Sequence, residues 1–435
     1  MNISDLNGKT VCVLGYGKEG KATVKALEQY APNAEITIAD KNADIPKDSD
    51  KHWLQVGEGW LENLGKFDVI IKTPGIPMND ELQKHATKMT GAVQIFLDTI
   101  AHSGSIVIGV TGSKGKSTTS SLIAAMLQHA GKDLPAGKAG IHLVGNIGEP
   151  SIAHIADAKK GTIFVHEMSS YMLEHATSSP HIAVVTSFFP EHLDYHGSID
   201  AYLEAKKHIA RFQGENDAVF FNADSPGAVS IAQEGHGRKI PVQPHDCPVA
   251  LTDIKLIGEH NRENIALAWK VCEDLGIERA IAIAATKAFT PLPHRLQPLG
   301  VHHGIRWVDD AISTTPESAI AALEALGDDV STIILGGQDR GNDFSGLAAR
   351  LKDSSVKTVL LFPGSGPRIR SAIEQVHAAI ELIDVASMDD AVRLAKEKTP
   401  EGAIALLSTA SPSYGMFKCF EEKGDAFRMA ITSQV

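Results

Sequence analysis

The sequence predicts an α/β protein of three domains with mainly parallel sheets. Short apolar strands alternate with amphipathic helices along the whole chain, which is typical of parallel sheets covered by helices. At 435 residues the chain is too long for one ordinary domain. Glycine-rich turns follow two of the strands, as in nucleotide-binding folds. We expect a Rossmann-like domain over residues 1–102, a central P-loop-type mononucleotide-binding ATPase domain over 103–290, and a Rossmann-like C-terminal domain over 291–435.

The composition is that of an ordinary globular protein. Hydrophobic residues make up 43% of the chain, and no apolar run approaches the ~18 residues of a membrane span. The N-terminus has no basic-then-apolar signal segment, and the four cysteines have neither metal-site nor redox spacing. The net charge of −12 argues against general nucleic-acid binding. We therefore expect a cytoplasmic monomer with reduced thiols and with no nucleic-acid or membrane partner.

The first predicted domain carries a glycine turn that fits the dinucleotide-binding fingerprint. The strand Thr10–Leu14 precedes Gly15-Tyr16-Gly17-Lys18-Glu19-Gly20, and a second strand ends in Asp40. A third strand, over residues 68–72, leads into Thr73-Pro74-Gly75-Ile76. The turn can approach a diphosphate, and the acid can meet a ribose. Both NAD and a UDP-sugar carry these groups, so an NAD-linked oxidoreductase is one alternative, and a turn that only packs helix on strand is another.

The second glycine turn predicts an ATP-binding loop. An apolar strand ends in Thr111-Gly112-Ser113-Lys114-Gly115-Lys116-Ser117-Thr118, and a helix follows. Glycines let backbone N–H groups close on phosphate oxygens, and the helix N-terminus adds partial positive charge. Lys116 can reach the β- and γ-phosphates, and the Ser117 hydroxyl can ligate Mg²⁺. The strict eight-residue spacing is absent because Val110 stands where the first glycine is expected. A plain surface turn is the alternative.

Two further strand ends carry candidate metal ligands. Glu167 follows the predicted strand 162–165, and His192 follows the predicted strand 182–186. In α/β sheets, ligands bind at the carboxyl ends of the strands. Glu167 and His192, assisted by Ser117, are therefore candidates to hold Mg²⁺ beside the ATP loop. Because Mg²⁺ prefers oxygen ligands, a simple polar contact is the alternative for His192.

Lys206 lies on the interior face of a predicted helix over residues 201–212, because it shares that face with Leu203 and Ile209. A buried lysine is costly unless its charge is paired or chemically removed. Carbamylation by CO₂ would convert it into an anion able to hold a second Mg²⁺. The alternative is an ordinary lysine whose aliphatic stem packs along the core while its charged amine reaches polar surroundings.

The remaining elements follow the same alternation. Prolines in Pro291-Leu292-Pro293-His294-Arg295 set the last domain boundary. Two Gly-, Pro- and charge-rich stretches, over residues 132–140 and 234–246, are expected to be exposed loops. Further predictions are strands over residues 218–222, 306–308, 332–335, 358–362 and 403–407, and a helix over 261–275.

Several motifs occur in an order that resembles one family. They are the ATP loop, Gly145-Asn146-Ile147-Gly148, Glu167-Met168-Ser169-Ser170, His192, Tyr202–Lys206, His260-Asn261 with Asn264, His294-Arg295, Asp310 and Gly336-Gly337. In this combination the chain is similar to the Mur ligase family, ATP-dependent amide ligases of peptidoglycan precursor synthesis. The two-glycine N-terminal domain, Thr73–Ile76 and the segment Phe417–Phe427 most resemble members that add D-glutamate to UDP-N-acetylmuramoyl-L-alanine.

The resemblance implies the activity and the residue roles. ATP would phosphorylate the alanyl carboxylate to an acyl phosphate, and the amine of glutamate would then attack this acyl phosphate.

The resemblance also implies the cofactors and the role of each site residue. ATP and two Mg²⁺ ions are the implied cofactors, with N6-carboxylysine at Lys206. The implied catalytic residues are Lys116, Glu167, His192 and Lys206, and the metal ligands are Ser117, Glu167, His192 and carbamylated Lys206. The implied ATP-binding residues are Gly112, Ser113, Lys114, Gly115, Lys116, Ser117, Thr118, Asn261, Asn264, Arg295 and Asp310. The implied UDP-substrate residues are Gly15, Tyr16, Gly17, Asp40, Lys41, Thr73, Pro74, Gly75, Asn146 and Ser169, and the amino acid would meet Arg340, Ser413 and Phe420.

The third predicted domain departs from the family pattern. Ala311-Ile312-Ser313-Thr314-Thr315-Pro316 replaces a segment in which a lysine is expected, and Ser408–Phe417 also differs. These departures put the amino acid in question, so L-glutamate or another amino acid on the same acceptor is an alternative. A folylpolyglutamate-synthase-like enzyme would begin near the ATP loop, and a non-catalytic UDP-sugar-binding protein would not need Lys116. The stretch 132–140 is interpreted as a surface-loop insertion without function.

Overall fold

The computed structural model describes residues 1–46, 51–131 and 138–433. The chain divides into two compact units, one of Met1–Ile254 with Arg262–Phe289 and one of Lys255–Asn261 with Thr290–Val435. Three sheets with helices around them confirm the predicted α/β class. The boundaries at 102/103 and 290/291 stay a prediction. In the part of the chain that the structure describes, no helix has both the length and the apolar character to cross a bilayer.

The first sheet is parallel and has the order β3-β2-β1-β4-β5. Its strands are β1 (Thr10–Leu14), β2 (Glu35–Asp40), β3 (Trp53–Val56), β4 (Val69–Lys72) and β5 (Met89–Thr90). Its helices are α1 (Lys18–Tyr30), α2 (Asp80–Gln83) and α3 (Ala92–Ile100). The glycine turn lies between β1 and α1, so it opens at the carboxyl end of a central strand.

The second sheet is also parallel, with the order β11-β10-β9-β6-β8-β7. Its strands are β6 (Ile106–Thr111), β7 (Gly140–Gly145), β8 (Thr162–Glu167), β9 (Ile182–Val185), β10 (Ala218–Asn222) and β11 (Arg238–Val242). Its helices are α4 (Lys116–Ala130), α5 (Ser170–Leu173), α6 (Leu193–His196), α7 (Ile199–Arg211), α8 (Pro226–Ala232), α9 (Asn261–Asp274) and α10 (Arg279–Ala288). Strands β8, β6 and β9 are neighbours and parallel, so the three predicted strand-end motifs lie side by side at the carboxyl ends of these strands.

The third sheet has the order β12-β13-β17-β14-β15-β16, with β12 antiparallel to β13 and the other pairs parallel. Its strands are β12 (Gln297–His302), β13 (Ile305–Asp309), β14 (Val330–Gly337), β15 (Thr358–Gly364), β16 (Glu381–Asp384) and β17 (Ile404–Leu407). Its helices are α11 (Pro316–Leu326), α12 (Ser345–Lys352), α13 (Gly366–Gln375), α14 (Met388–Lys398) and α15 (Phe420–Thr432). Helices α11 to α13 pack on one face, and α14 and α15 pack on the other.

A continuous apolar core joins the two sheets of the larger unit. It extends from Ile3 in the N-terminal segment through Phe96 of α3 to Phe164 of β8 and Ile209 of α7, all buried. The rings of Phe96 and Phe164 meet edge to face, with 5.2 Å between their centroids. Burial of such a side chain contributes about 1.5–3 kcal/mol. This core therefore explains why both sheets belong to one compact unit.

One of the two loop predictions is wrong, and the other lies mostly outside the described residues. The stretch 234–246 contains β11, which pairs with β10 along its whole length. Its first four residues are exposed or half-buried, so no apolar run marks the strand. Within 132–140, residues 132–137 lie outside the described residues, and Gly140 begins β7.

Candidate active site

The predicted ATP loop lies between β6 and α4, and its glycines are sterically required. Gly112 and Gly115 have φ of +151° and +86°, a region that disfavours other residues. A Cβ on Gly112 would lie 2.0 Å from Thr186 Oγ1, and one on Gly115 would lie 2.3 Å from Asn264 Oδ1. Asn264 also lies 3.3 Å from Thr119 Oγ1. The loop is therefore held close to β9 and α9, as a tight phosphate-binding turn requires.

Two lysine amines converge on this loop. Lys116 Nζ donates hydrogen bonds to the carbonyl oxygens of Gly112 and Ser113, both at 2.8 Å. Lys206 Nζ donates to the same Gly112 oxygen, also at 2.8 Å. Ser117 and Thr118 lie in the first turn of α4. Of the two amines, Lys116 supplies a positive group of the kind that a polyphosphate needs.

Lys206 is buried on α7, as its helical position predicts. Only 1% of its surface is exposed, and its Nζ lies 4.8 Å from the centre of the Tyr202 ring. Burial lowers the pKa of Lys206 well below its ordinary value, and the charge of Lys116 lowers it further. Glu191 and Glu167 oppose this shift. The site therefore favours the neutral amine, which is the form that reacts with CO₂.

Glu167 ends β8 inside the protein and has a free acceptor. Its Oε1 accepts a hydrogen bond of 2.8 Å from Asn146 Nδ2, while its buried Oε2 has no partner among the described residues. An unsatisfied buried carboxylate oxygen is costly. A cation would satisfy it, and the oxygen donor is of the kind that Mg²⁺ prefers. Glu167 therefore fits the metal role that the sequence predicts.

His192 caps the start of α6 with a left-handed backbone, at φ +57°. Its ring centroid lies 5.1 Å from that of Tyr171 and 6.0 Å from that of Tyr202. Desolvation lowers the pKa of His192, Glu191 opposes this shift, and the charge of Lys116 lowers the pKa further. The imidazole is therefore biased toward the neutral form, which a metal ligand must have.

Four of the predicted UDP-binding residues are in contact around the first glycine turn. A Cβ on Gly15 would lie 2.2 Å from Thr73 Oγ1, and Gly15 has φ +90°. The Tyr16 N–H donates to Asp40 Oδ2 at 2.7 Å, so the acid at the end of β2 holds the turn. Gly17 caps α1, and Lys41 is exposed. Ser169 caps α5, and the Asn146 N–H donates to the Glu167 carbonyl at 3.0 Å.

The second unit contains the other predicted ATP residues Asn261, Arg295 and Asp310. Asp310 is buried, and it accepts hydrogen bonds from the Leu296 N–H, Ser408 Oγ and Ser313 Oγ. Burial raises the pKa of Asp310 to about 6, and these hydrogen bonds oppose the shift. Asn261 Nδ2 donates to the Ile257 carbonyl at 2.8 Å.

The predicted amino-acid pocket draws on loops that follow β14 and β17. The Gln338 N–H donates to the Pro412 carbonyl at 2.9 Å, so the loops of Arg340 and Ser413 lie side by side. The guanidinium carbon of Arg340 lies 5.9 Å from the centre of the Tyr414 ring. Ser413 Oγ is buried and has no partner among the described residues. Phe420 begins α15, and its ring lies 6.1 Å from that of His294.

Comparisons with known proteins agree with this geometry. Residues 110–243 match the Mur ligase middle domain, and residues 294–410 match the Mur ligase, glutamate ligase domain. A UDP-N-acetylmuramoyl-L-alanine--L-glutamate ligase from Salinispora tropica is 32% identical over 99% of both chains. A UDP-N-acetylmuramoylalanine--D-glutamate ligase from Symbiobacterium thermophilum is 33% identical over 87% of both.

The chain belongs to the Mur ligase family. This confirms the predicted family and makes the protein a ligase. The MurF ligase of Thermotoga maritima, solved in complex with ADP, has a TM-score of 0.59 at 15% identity and covers 99% of this chain and 96% of its own. A folylpolyglutamate synthase of Mycobacterium tuberculosis, complexed with ADP, reaches a TM-score of 0.60 at 14% identity, but covers only 80% of this chain and 95% of its own. These two likenesses show the fold.

Sequence reasoning missed three lysines near the sites of this Mur ligase. Lys72, at the end of β4, is buried, and its Nζ lies 2.9 Å from Tyr195 Oη and 3.3 Å from Glu174 Oε2. Lys18 Nζ donates to the Gly148 carbonyl at 2.6 Å, which ties the first glycine turn to the 145–148 turn. For Lys72 and Lys18, the only signal in the sequence is a position within or next to a recognised motif.

Lys423 of α15 is the third lysine. It is buried and donates to Thr409 Oγ1 at 2.6 Å. Burial lowers the pKa of Lys423 to about 8, while Asp309 and Asp310 oppose this shift. The family's expected lysine is absent after Asp310, and the Lys423 amine lies close enough for the charges of Asp309 and Asp310 to act on it.

Proposed function

We propose that the protein is an ATP-dependent ligase that adds glutamate to UDP-N-acetylmuramoyl-L-alanine in peptidoglycan precursor synthesis. The observation that carries this proposal is the convergence of Lys116 and the buried Lys206 on the Gly112 carbonyl, next to the strand that ends in Glu167. A dehydrogenase would use only the first glycine turn, and Lys116, Lys206 and Glu167 would then have no role in its reaction. The printed names of the full-length relatives support the acceptor and the amino acid.

The residues of the first unit account for the first step. Transfer of the γ-phosphoryl group to the alanyl carboxylate builds negative charge on phosphate oxygens, and Lys116 with the backbone amides of the loop would stabilise it. The glutamate amine then displaces phosphate from the acyl phosphate through a tetrahedral intermediate. Asn146 and Ser169 would hold the alanyl end, while Gly15, Asp40 and Thr73 would hold the uridine diphosphate.

Mg²⁺ fits the residues near the loop. Glu167, His192 and the Ser117 hydroxyl would hold one ion, and a carbamylated Lys206 would hold a second. When bound, Mg²⁺ neutralises phosphate charge and polarises phosphoryl oxygens. A carbamylated Nζ keeps one N–H, so the hydrogen bond from Lys206 to the Gly112 carbonyl is compatible with the modification.

The configuration of the glutamate has two candidates. The resemblance in the N-terminal domain and in Phe417–Phe427 favours D-glutamate. Relatives from Salinispora and Micromonospora that are named L-glutamate ligases favour L-glutamate, and the missing lysine in the segment Ala311–Pro316 leaves the amino acid open. In either case Arg340 can grip a substrate carboxylate with two parallel hydrogen bonds.

The test is phosphate release from Mg-ATP with UDP-N-acetylmuramoyl-L-alanine, run separately with D- and L-glutamate. Release with one enantiomer assigns the configuration, and release with neither contradicts the proposal. The variant Lys116→Ala is the matched control: turnover should vanish while the acceptor still binds. Full activity in Lys116→Ala would show that this loop does not bind the phosphates of ATP.

A further inference from the structure

A second cluster of metal-ligand side chains lies away from the ATP loop. The edge strand β7 carries His142, and the following 3₁₀ segment Ser151–Asp157 carries His154 and Asp157. One ligand atom from each of the three residues lies within 4.8 Å of the others. The three are half-buried, which leaves the cluster open to solvent ions.

The spacing of these atoms is close to that of a first coordination shell. His154 Nδ1 lies 2.9 Å from Asp157 Oδ2, and His142 Nδ1 lies 3.9 Å from the same oxygen. Tetrahedral sites with bonds of about 2.0–2.2 Å separate their ligand atoms by roughly 3.3 Å. The two distances lie on either side of this value, and the ligand atoms of His142 and His154 lie within 4.8 Å of each other, so side-chain rotations can bring the three atoms around one ion.

The surroundings of the two rings also resemble those of metal ligands. His154 Nε2 lies 3.2 Å from Glu149 Oε2, so the ring nitrogen opposite to Nδ1 has a carboxylate partner. Metal-bound histidines usually donate their other N–H to such a carboxylate, which fixes the ring and strengthens the ligand. The His142 ring stacks on Phe164, with 5.3 Å between centroids, and this limits its rotation.

We propose that His142, His154 and Asp157 bind a divalent transition metal of the zinc class, with Glu149 orienting His154. Two imidazoles and one carboxylate favour Zn²⁺, Co²⁺ or Ni²⁺ over Mg²⁺, which prefers oxygen ligands. Three protein ligands leave a fourth position for water. The ion joins β7 to the segment that follows it, so it stabilises this edge of the second sheet. This site is independent of the ligase function.

The experiment is a Co²⁺ titration of the full chain, freed of any histidine tag and kept in excess Mg²⁺. Tetrahedral Co²⁺ gives visible absorption bands, and Zn²⁺ should displace it from the same site. His142→Ala and His154→Ala should abolish the bands. Glu149→Gln should keep the bands and weaken the affinity about 10–100-fold, as loss of a supporting carboxylate does. His236→Ala, which removes an exposed histidine elsewhere, is the matched control.

Two outcomes would overturn the proposal. One is a wild-type protein that shows no Co²⁺ bands. The other is an unchanged spectrum and stoichiometry in His142→Ala and His154→Ala, because the ion would then bind elsewhere. Asp157→Asn keeps the shape of the side chain and removes its charge, so it tests the site if an alanine variant fails to fold. The wild-type melting temperature should also rise with Zn²⁺, and that rise should be lost in Asp157→Asn.

Discussion

Lys206 meets carbonyl, hydroxyl and aromatic groups, but among the described residues no carboxylate is within hydrogen-bond distance of its amine. Its Nζ contacts the Gly112 carbonyl, Thr111 Oγ1 and the Tyr202 ring. A permanently charged amine would be costly here, because burial and the neighbouring Lys116 both disfavour the charge. A carbamate resolves this conflict, since it replaces a disfavoured cation with an anion that a metal ion can pair.

At this residue we predict that Lys206→Ala lowers kcat by about 10²–10³-fold, as loss of a preorganised charged group does. Formate or acetate should restore part of the activity, because a small carboxylate can occupy the space of the carbamate. The measurement is phosphate release with and without the added acid.

The matched variant is Lys206→Arg, which keeps a positive charge but cannot form a carbamate. It should be inactive and should not respond to formate. Wild-type activity in Lys206→Arg would show that the cation itself is required, and wild-type activity in Lys206→Ala without additive would exclude any role for the side chain.

At the scale of elements, the strands that the sequence predicts are the interior strands of each sheet. Strands such as β1, β8 and β14 are almost entirely buried, and each contains a short apolar run. The strands missed by the sequence are the two edges of each sheet: β3 and β5, β7 and β11, β12 and β16. The residues of edge strands such as β12 and β16 are exposed or half-buried, so they need not be apolar and carry no periodic signal.

Part of the candidate site could also be predicted from the sequence. Residues at or just after the ends of strands, such as Gly112, Glu167 and His192, could be predicted because topology alone brings strand ends together. Contacts such as Lys72 with Tyr195 join segments that are distant in sequence. Nothing in local pattern or spacing encodes them, so only the folded chain shows them.

The interior strand β8 also contains a polar residue without an evident function. Both ring nitrogens of His166 are buried and have no partner among the described residues. Burial lowers the pKa of His166 to about 3, so the folded protein holds it neutral. The unfolded chain would bind a proton there below about pH 6.5. The associated stability is therefore complete above that pH and is lost as the pH falls toward 3.

For this strand we predict that His166→Leu raises the melting temperature, and that it does so more at pH 5 than at pH 8. At pH 8 the gain comes from removing unpaired polar atoms, which cost about 1–3 kcal/mol. At pH 5 folding also expels a proton from His166, which costs about 2 kcal/mol more. Thermal melting at both pH values measures the difference.

The exposed His236→Leu is the control and should show no such pH dependence. An equal gain at both pH values would mean that His166 titrates as an ordinary histidine. A loss of stability at both would mean that its nitrogens have partners, such as buried water.

At the scale of the whole molecule, the division into two compact units follows from where the cores are continuous. The first two sheets share one core, which crosses from α3 to β8. The third sheet has cores of its own on its two faces. The three sheets of this ligase therefore form two compact units. The alternation of strands and helices in the sequence predicts all three sheets but does not show which of them share a core.

We therefore predict that Phe96→Ala loosens the first and second sheets together. Loss of a buried phenylalanine costs about 3–5 kcal/mol, and Phe96 contacts Phe164 across the two sheets. Hydrogen exchange should show faster exchange in both β4 and β8. The control Phe427→Ala removes a ring that packs on Trp307 in the second unit, so it should speed exchange in β13. If Phe96→Ala affected β4 and left β8 protected, the two sheets would be separate cooperative bodies despite their shared core.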